Sequence, residues 1–179
     1  CSGYLKVIVF SSSSTATATL FDGSLRQPGA TENARLHRVP RAVATVMATI
    51  RQAYEPAAAG LDQQGSDITA QYRLAGEWLR QLGGDYRLHV YALTDGFQTA
   101  GIDLDAQALD RQQATRLAQQ VPMPMLPGAS VVVAGLGRVA GAQPPSDVVE
   151  GLVAYYDALC HRLAAAKCLS VSDYQAAGW

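Results

Sequence analysis

A chain of 179 residues, 49% hydrophobic and 16% charged, holds enough apolar material for one compact domain with a core and is short for two. Its net charge is −1 and its Lys and Arg residues are scattered, which excludes a nucleic-acid footprint. No run of about 18 apolar residues offers a membrane span, and the opening Cys1-Ser2-Gly3 reads as the start of a mature or excised chain.

In chain order, Tyr4–Phe10 and Thr15–Phe21 read as strands, the second with threonines alternating against small and apolar residues. Only Ser11 to Ser14 separate them. A parallel crossover needs about a dozen residues, so the pair is expected to be an antiparallel hairpin. Asp22-Gly23 marks a turn and Gln27-Pro28-Gly29 opens a loop. A helix follows Pro40, with Val43, Val46, Met47, Ile50 and Tyr54 on one face, and Pro56 is expected to end it. After a linker from Leu61 to Gly65, Ser66-Asp67 begins a second helix whose apolar face is Ile68, Tyr72, Ala75, Leu79 and Leu82, and Gly83-Gly84 stops it.

The apolar run Arg87–Leu93 reads as a strand ending in Thr94-Asp95-Gly96. A short amphipathic helix is expected near Ala106–Val121, then a rigid non-helical stretch, Pro122–Pro127, because prolines lack the amide donor. Ser130–Ala134 has the all-apolar character of a strand inside a parallel sheet. A loop from Gly135 to Pro145 leads to a helix whose start resembles a capping box, Asp147 with Glu150. That helix carries Val148, Val149, Leu152, Val153, Tyr156, Leu159 and Leu163 along one face, and Cys168–Val171 is the last strand. Strands alternating with helices in the second half imply right-handed crossovers and a parallel sheet. The expected fold is α/β, a three-layer Rossmann-like sandwich formed by a single domain over residues 1–179, with a mostly parallel sheet and one antiparallel hairpin.

Asp95 is the most informative residue, because ligands of open α/β sheets bind outside the carboxyl ends of the strands. With Gly65-Ser66-Asp67-Ile68 at a helix start and Thr94-Asp95-Gly96 after the next strand, and with the hairpin before and the strand–helix–strand tail after, the chain resembles a von Willebrand factor A-type domain in element order. That resemblance implies a protein-binding domain that is not an enzyme, with a metal-ion-dependent adhesion site holding Mg²⁺ or Mn²⁺ through hard oxygen ligands. Asp95 matches one position of that site, and Ser66 or Asp67 a second, with Thr31 as a rival. The family's Asp-x-Ser-x-Ser loop has no counterpart. Ser11–Ser14 lacks a preceding aspartate and lies in a hairpin turn. The two strands around it are then the family's second and third, and its first strand and loop would lie upstream of Cys1 or be absent. About two protein ligands would remain, too few to hold Mg²⁺ tightly.

Simpler roles compete at each position. Asp95-Gly96 also suits an ordinary turn, and Ser66 or Asp67 an N-cap. Gly135-Leu136-Gly137-Arg138-Val139-Ala140 follows a strand and matches a dinucleotide fingerprint, but Gly141–Pro145 delays the helix whose N-terminus would face a pyrophosphate. A nucleotide-binding enzyme using Gly135 and Gly137, and a metal-free scaffold, are therefore the alternatives. His37, His89 and His161 form no triad or zinc spacing, with His89 expected in the core or an interface. Cys160 and Cys168 flank a short helix-to-strand connection; they are either bridged or two reduced buried thiols. A bridge and the family's usual habitat point to a secreted or cell-envelope protein, the cytosol being the alternative. The expected partner is another protein.

Overall fold

The computed structural model describes residues 3–11, 13, 16–61, 65–104 and 109–177. It is a mixed α/β structure whose contacts divide into two compact units, Cys1–Gly65 and Ser66–Trp179.

In Cys1–Gly65, β1 (Tyr4–Phe10) and β2 (Thr17–Ser24) form the expected antiparallel hairpin, a sheet of two strands. Thr15 lies outside the described residues. Asp22-Gly23 does not turn the chain; β2 runs through it to pair Gly23 with Leu5 and Ser24 with Tyr4. Lys6 opposite Asp22 supplies a cross-strand reason, with Nζ 3.1 Å from the carboxylate. The loop after Gly29 contains an extra helix, α1 (Glu32–Leu36), capped by Thr31, whose Oγ1 accepts from Ala34 N at 3.2 Å.

α2 spans Val39–Ala59, so it starts one residue before Pro40 and passes Pro56 by a turn before Gly60 caps it. Proline is suited to a helix's first turn, and near the last turn it costs one hydrogen bond without ending the helix. α2 packs on the hairpin, but it buries no residue fully. Of its expected apolar face, Val46 and Ile50 are half-buried. Val43, Met47 and Tyr54 are 54%, 41% and 49% exposed.

In Ser66–Trp179, α3 (Ile68–Leu82) begins at Asp67 and stops at Gly83 as expected, burying Ile68, Ala70, Tyr72 and Gly76. β3 (His89–Leu93), β4 (Ser130–Ala134) and β5 (Lys167–Val171) form a parallel sheet in the order β3-β4-β5. β4 is central and buried at all five positions, as its unbroken apolar sequence requires. β3 starts two residues later than Arg87, and β5 one residue earlier than Cys168.

α4 is shorter than expected, Arg111–Gln120, and Ala106 lies outside the described residues. A reciprocal capping box fixes its start, the Asp110 carboxylate accepting from Gln113 N at 2.7 Å and the Gln113 side chain accepting from Asp110 N. The capping box expected at Asp147 and Glu150 is not formed. α5 (Ser146–Arg162) starts after Pro145 with no side-chain cap, and Glu150 pairs instead with Arg111 at 3.4 Å on the surface.

α5 is the main core helix. It buries Gly151, Leu152, Tyr155, Tyr156, Leu159 and Cys160, a wider face than its periodicity suggested. Gly151 is required by packing, since a Cβ there would lie 2.1 Å from the Leu109 carbonyl oxygen. At the other end of α5, Arg162 Nη1 donates to the Ala118 and Val121 carbonyls, so a cation closes the C-terminus of α4. A disulfide joins Cys160 of α5 to Cys168 of β5, settling the open alternative for this pair.

Candidate functional site

The site is built where the segment entering α3 meets the segment leaving β3. Ser66 Oγ donates to the Phe97 carbonyl at 2.8 Å, and Ser66 N donates to Thr99 Oγ1 at 3.0 Å. Thr99 N and Ala100 N return bonds to the Ser66 carbonyl. Gln98, 1% exposed, stitches the same seam. Its Oε1 accepts from Thr69 N at 3.2 Å, and its Nε2 donates to the Ala100 carbonyl at 2.7 Å and to Thr69 Oγ1 at 3.3 Å. A buried amide with this many partners makes the two segments one rigid unit. Ser66, Asp67 and Asp95 are therefore held within one loop junction beside the carboxyl end of β3.

Each of the three already serves the backbone. Asp67 caps α3, with Oδ1 accepting from Ala70 N at 3.0 Å and Thr69 Oγ1 at 3.2 Å. Asp95 Oδ1 accepts from Phe97 N at 3.1 Å, an Asx turn, while its carbonyl accepts from Gly137 N at 2.8 Å. Gly96, in the left-handed region at φ +85°, lets the chain turn there. The cap and turn roles anticipated as simpler readings are thus both present. The rival hydroxyl, Thr31, caps α1 in the other unit.

These bonds test the fit of a divalent cation. Ser66 Oγ donates its hydrogen to Phe97 and keeps its lone pairs, while Oδ1 of Asp67 and Oδ1 of Asp95 accept from backbone amides, so Ser66 Oγ and the two Oδ2 atoms remain as oxygen donors. Among the described residues no cluster of three or more His, Cys, Asp or Glu side chains converges. One hydroxyl and two monodentate carboxylate oxygens are few protein ligands, so a Mg²⁺ or Mn²⁺ ion held by them would keep most of its shell as water and bind weakly.

Beneath the junction lies a cluster of three tyrosines, of which periodicity placed Tyr72 and Tyr156 on apolar helix faces and left out Tyr155. Tyr72, Tyr155 and Tyr156 are at most 1% exposed, and the Tyr155 and Tyr156 rings meet edge to face at 5.1 Å. Tyr156 OH donates to the Gly96 carbonyl at 2.9 Å, anchoring the turn that holds Asp95. The hydroxyls of Tyr72 and Tyr155 have no hydrogen-bond partner among the described residues. Burial pushes all three phenols well above their ordinary range. Tyr155 raises Tyr72, and the Asp95 charge adds to the rise at Tyr156. For Tyr155, Arg162 opposes the rise and Asp67 adds to it. Helical spacing was the sequence signal for Tyr72 and Tyr156, and Tyr155 had only its adjacency to Tyr156. Gln98 had none, because its role depends on a contact 29 residues away.

The glycine loop after β4 is filled by its own chain. A Cβ on Gly135 would lie 2.3 Å from the Tyr174 ring, and one on Gly137 2.6 Å from Val149. α5 begins at Ser146, as late as the delayed start implied. A dinucleotide fingerprint works by letting a pyrophosphate approach its glycines, and here protein side chains occupy that approach.

The histidines stay apart. His37 follows α1, His89 is exposed at the start of β3 rather than in the core, and His161 makes an exposed contact with Asp157 at 3.5 Å. No described helix is long and apolar enough to cross a membrane. Comparison with protein-family models, with curated proteins and with solved structures gives no match.

Proposed function

We propose that this chain is a non-enzymatic protein-binding domain of von Willebrand factor A type, a Rossmann-like α/β layer structure. Its contact surface is the junction of the Ser66–Thr69 and Thr94–Ala100 segments. The observation that carries the reading is the hydrogen-bonded seam from Ser66 to Phe97 and Thr99 and from Gln98 to Thr69. It presents a preorganised polar loop surface beside the end of a parallel strand, where α/β folds place their ligands. Loops stitched in this way lose little entropy on binding.

The partner is another protein, and contact is direct rather than through Mg²⁺ or Mn²⁺, because Ser66, Asp67 and Asp95 offer too few protein ligands to hold the ion tightly. The Cys160–Cys168 bridge supports a secreted or cell-envelope location, since disulfides persist in oxidising compartments.

The test compares the wild-type chain with Asp95→Asn, which keeps an acceptor for Phe97 N and removes the charge. Each is immobilised and challenged with its own organism's secreted and envelope proteins. A protein retained by the wild type and lost with Asp95→Asn supports the reading; equal retention, or none, overturns it. A parallel titration with Mg²⁺ or Mn²⁺ should leave the thermal midpoint unchanged. A rise that Asp95→Ala abolishes would replace direct contact by a cation-dependent one.

A further inference from the structure

A groove of about 750 Å³ opens at the other end of the parallel sheet, between the last turns of α3, the segment before β3 and the Met125–Ala129 loop. This volume suits a small-molecule ligand. Its floor is apolar, from Leu88 and Leu126, which are 6% and 5% exposed, and the half-buried Leu79. Close packing forms that floor. Gly76 sits inside α3 with Leu126 Cδ2 only 2.9 Å from where a Cβ would stand.

The rim is cationic. Arg80 from α3 and Arg87 from the segment before β3 both line the groove. Neither guanidinium makes an ion pair or a side-chain hydrogen bond among the described residues. Elsewhere in Ser66–Trp179, Arg111 pairs with Glu150, Arg138 bonds to the Ser172 carbonyl and Arg162 closes α4, while the exposed Arg73 and Arg116 share with Arg80 and Arg87 the lack of such a contact among the described residues. Asp85 also lines the groove, so its lining carries one carboxylate and two guanidinium groups and the balance stays positive.

We propose that this groove binds a small amphipathic carboxylate, with its apolar body on the leucine floor and its carboxylate held by Arg80 and Arg87. Arginine suits this task, because its planar fork matches a carboxylate and is weakly hydrated. The leucines provide the second half of the recognition, since an anion without an apolar body leaves them uncovered. The site lies away from the Asp95 junction and does not depend on the function proposed for it.

The test is calorimetric titration of the full chain with three probes: octanoate, 1-octanol for the tail alone and acetate for the charge alone. Octanoate should bind at a single saturable site, and the other two at least about tenfold more weakly. Arg80→Gln and Arg87→Gln should each weaken octanoate by about tenfold, the loss of one charge-assisted contact, while Asp85→Asn should tighten it. Arg73→Gln, an exposed position on the same helix outside the groove, should change nothing. Near-ultraviolet circular dichroism confirms that each variant is folded. The proposal is overturned by absence of saturable octanoate binding, by octanol binding equally well, or by octanoate affinity that survives both groove arginine substitutions.

Discussion

The two units use apolar residues in opposite ways. In Ser66–Trp179, β4 is enclosed on both faces, and Leu152, Tyr155, Tyr156, Leu159 and Leu163 have no exposed surface. In Cys1–Gly65, among the described residues, only Leu20 and Ser11 are buried, and the 21-residue α2 buries nothing fully. Yet α2 and α3 both carry apolar stripes at helical spacing. The difference teaches that a stripe states which face a helix can bury, whereas burial needs a surface opposite it. α3 belongs to a unit with a three-stranded sheet, while α2 has only the hairpin.

The sharpest way to break that comparison is a pair of truncations. Leu152→Ala should destabilise the chain by about 2–5 kcal/mol, the cost of a cavity in a closed core. Met47→Ala on the exposed face of α2 should stay within about 0.5 kcal/mol. Denaturant unfolding checks both, and similar losses would mean that the α2 stripe is covered.

A middle-sized effect concerns the disulfide. Opening the Cys160–Cys168 bridge, which closes a sequence separation of 8 residues, should cost about 2–3 kcal/mol through the freedom restored to the unfolded chain. The Cys160→Ala/Cys168→Ser double variant measures it by a lowered unfolding midpoint. Because the bridge lies wholly in Ser66–Trp179, amide-exchange protection of β1 and β2 should not change.

The smallest effects sharpen the picture of the tyrosine cluster. Tyr156→Phe removes the bond to Gly96 and should cost about 1 kcal/mol. Tyr72→Phe removes a buried hydroxyl that has no partner among the described residues and should be neutral or stabilising at pH 7. The contrast changes with pH. Folding raises these phenols above the unfolded value of about 10, so the folded chain holds their protons more tightly than the unfolded one. Their contribution is therefore complete below about pH 10 and falls as pH rises beyond it. Urea unfolding across that range should show a declining alkaline limb, shallower in Tyr72→Phe. A flat limb in the wild type would mean that the phenols are solvated.

Several parts of the molecule were legible because their causes are local. An all-apolar run of five residues marked β4, Asp67 and Gly83 bracketed α3, and the short Ser11–Ser14 spacing required the antiparallel hairpin. Other parts depended on partners far along the chain. β2 continues through Asp22-Gly23 because Lys6 and Leu5 lie opposite it. Glu150, placed for a capping box, faces Arg111 instead. The candidate site divides in the same way. The placement of Ser66, Asp67 and Asp95 near one strand end followed from element order, but their chemistry did not. How much of a carboxylate is available to a ligand depends on which amide already holds it, and Ala70 N and Phe97 N each hold one oxygen of these two.

The sequence by itself determined the sheet-bearing second half, the hairpin, the α3 boundaries and the position of Asp95. Each follows from steric and hydrogen-bonding preferences that act within a few residues. Tertiary structure alone decided that α2 keeps much of its apolar face exposed, that Gln98 and Tyr156 lock the Asp95 turn, and that Arg80 and Arg87 line one groove with Leu79, Leu88 and Leu126. Those outcomes arise from packing and charge across tens of residues, where burial depends on the surface that arrives opposite and not on the side chain alone.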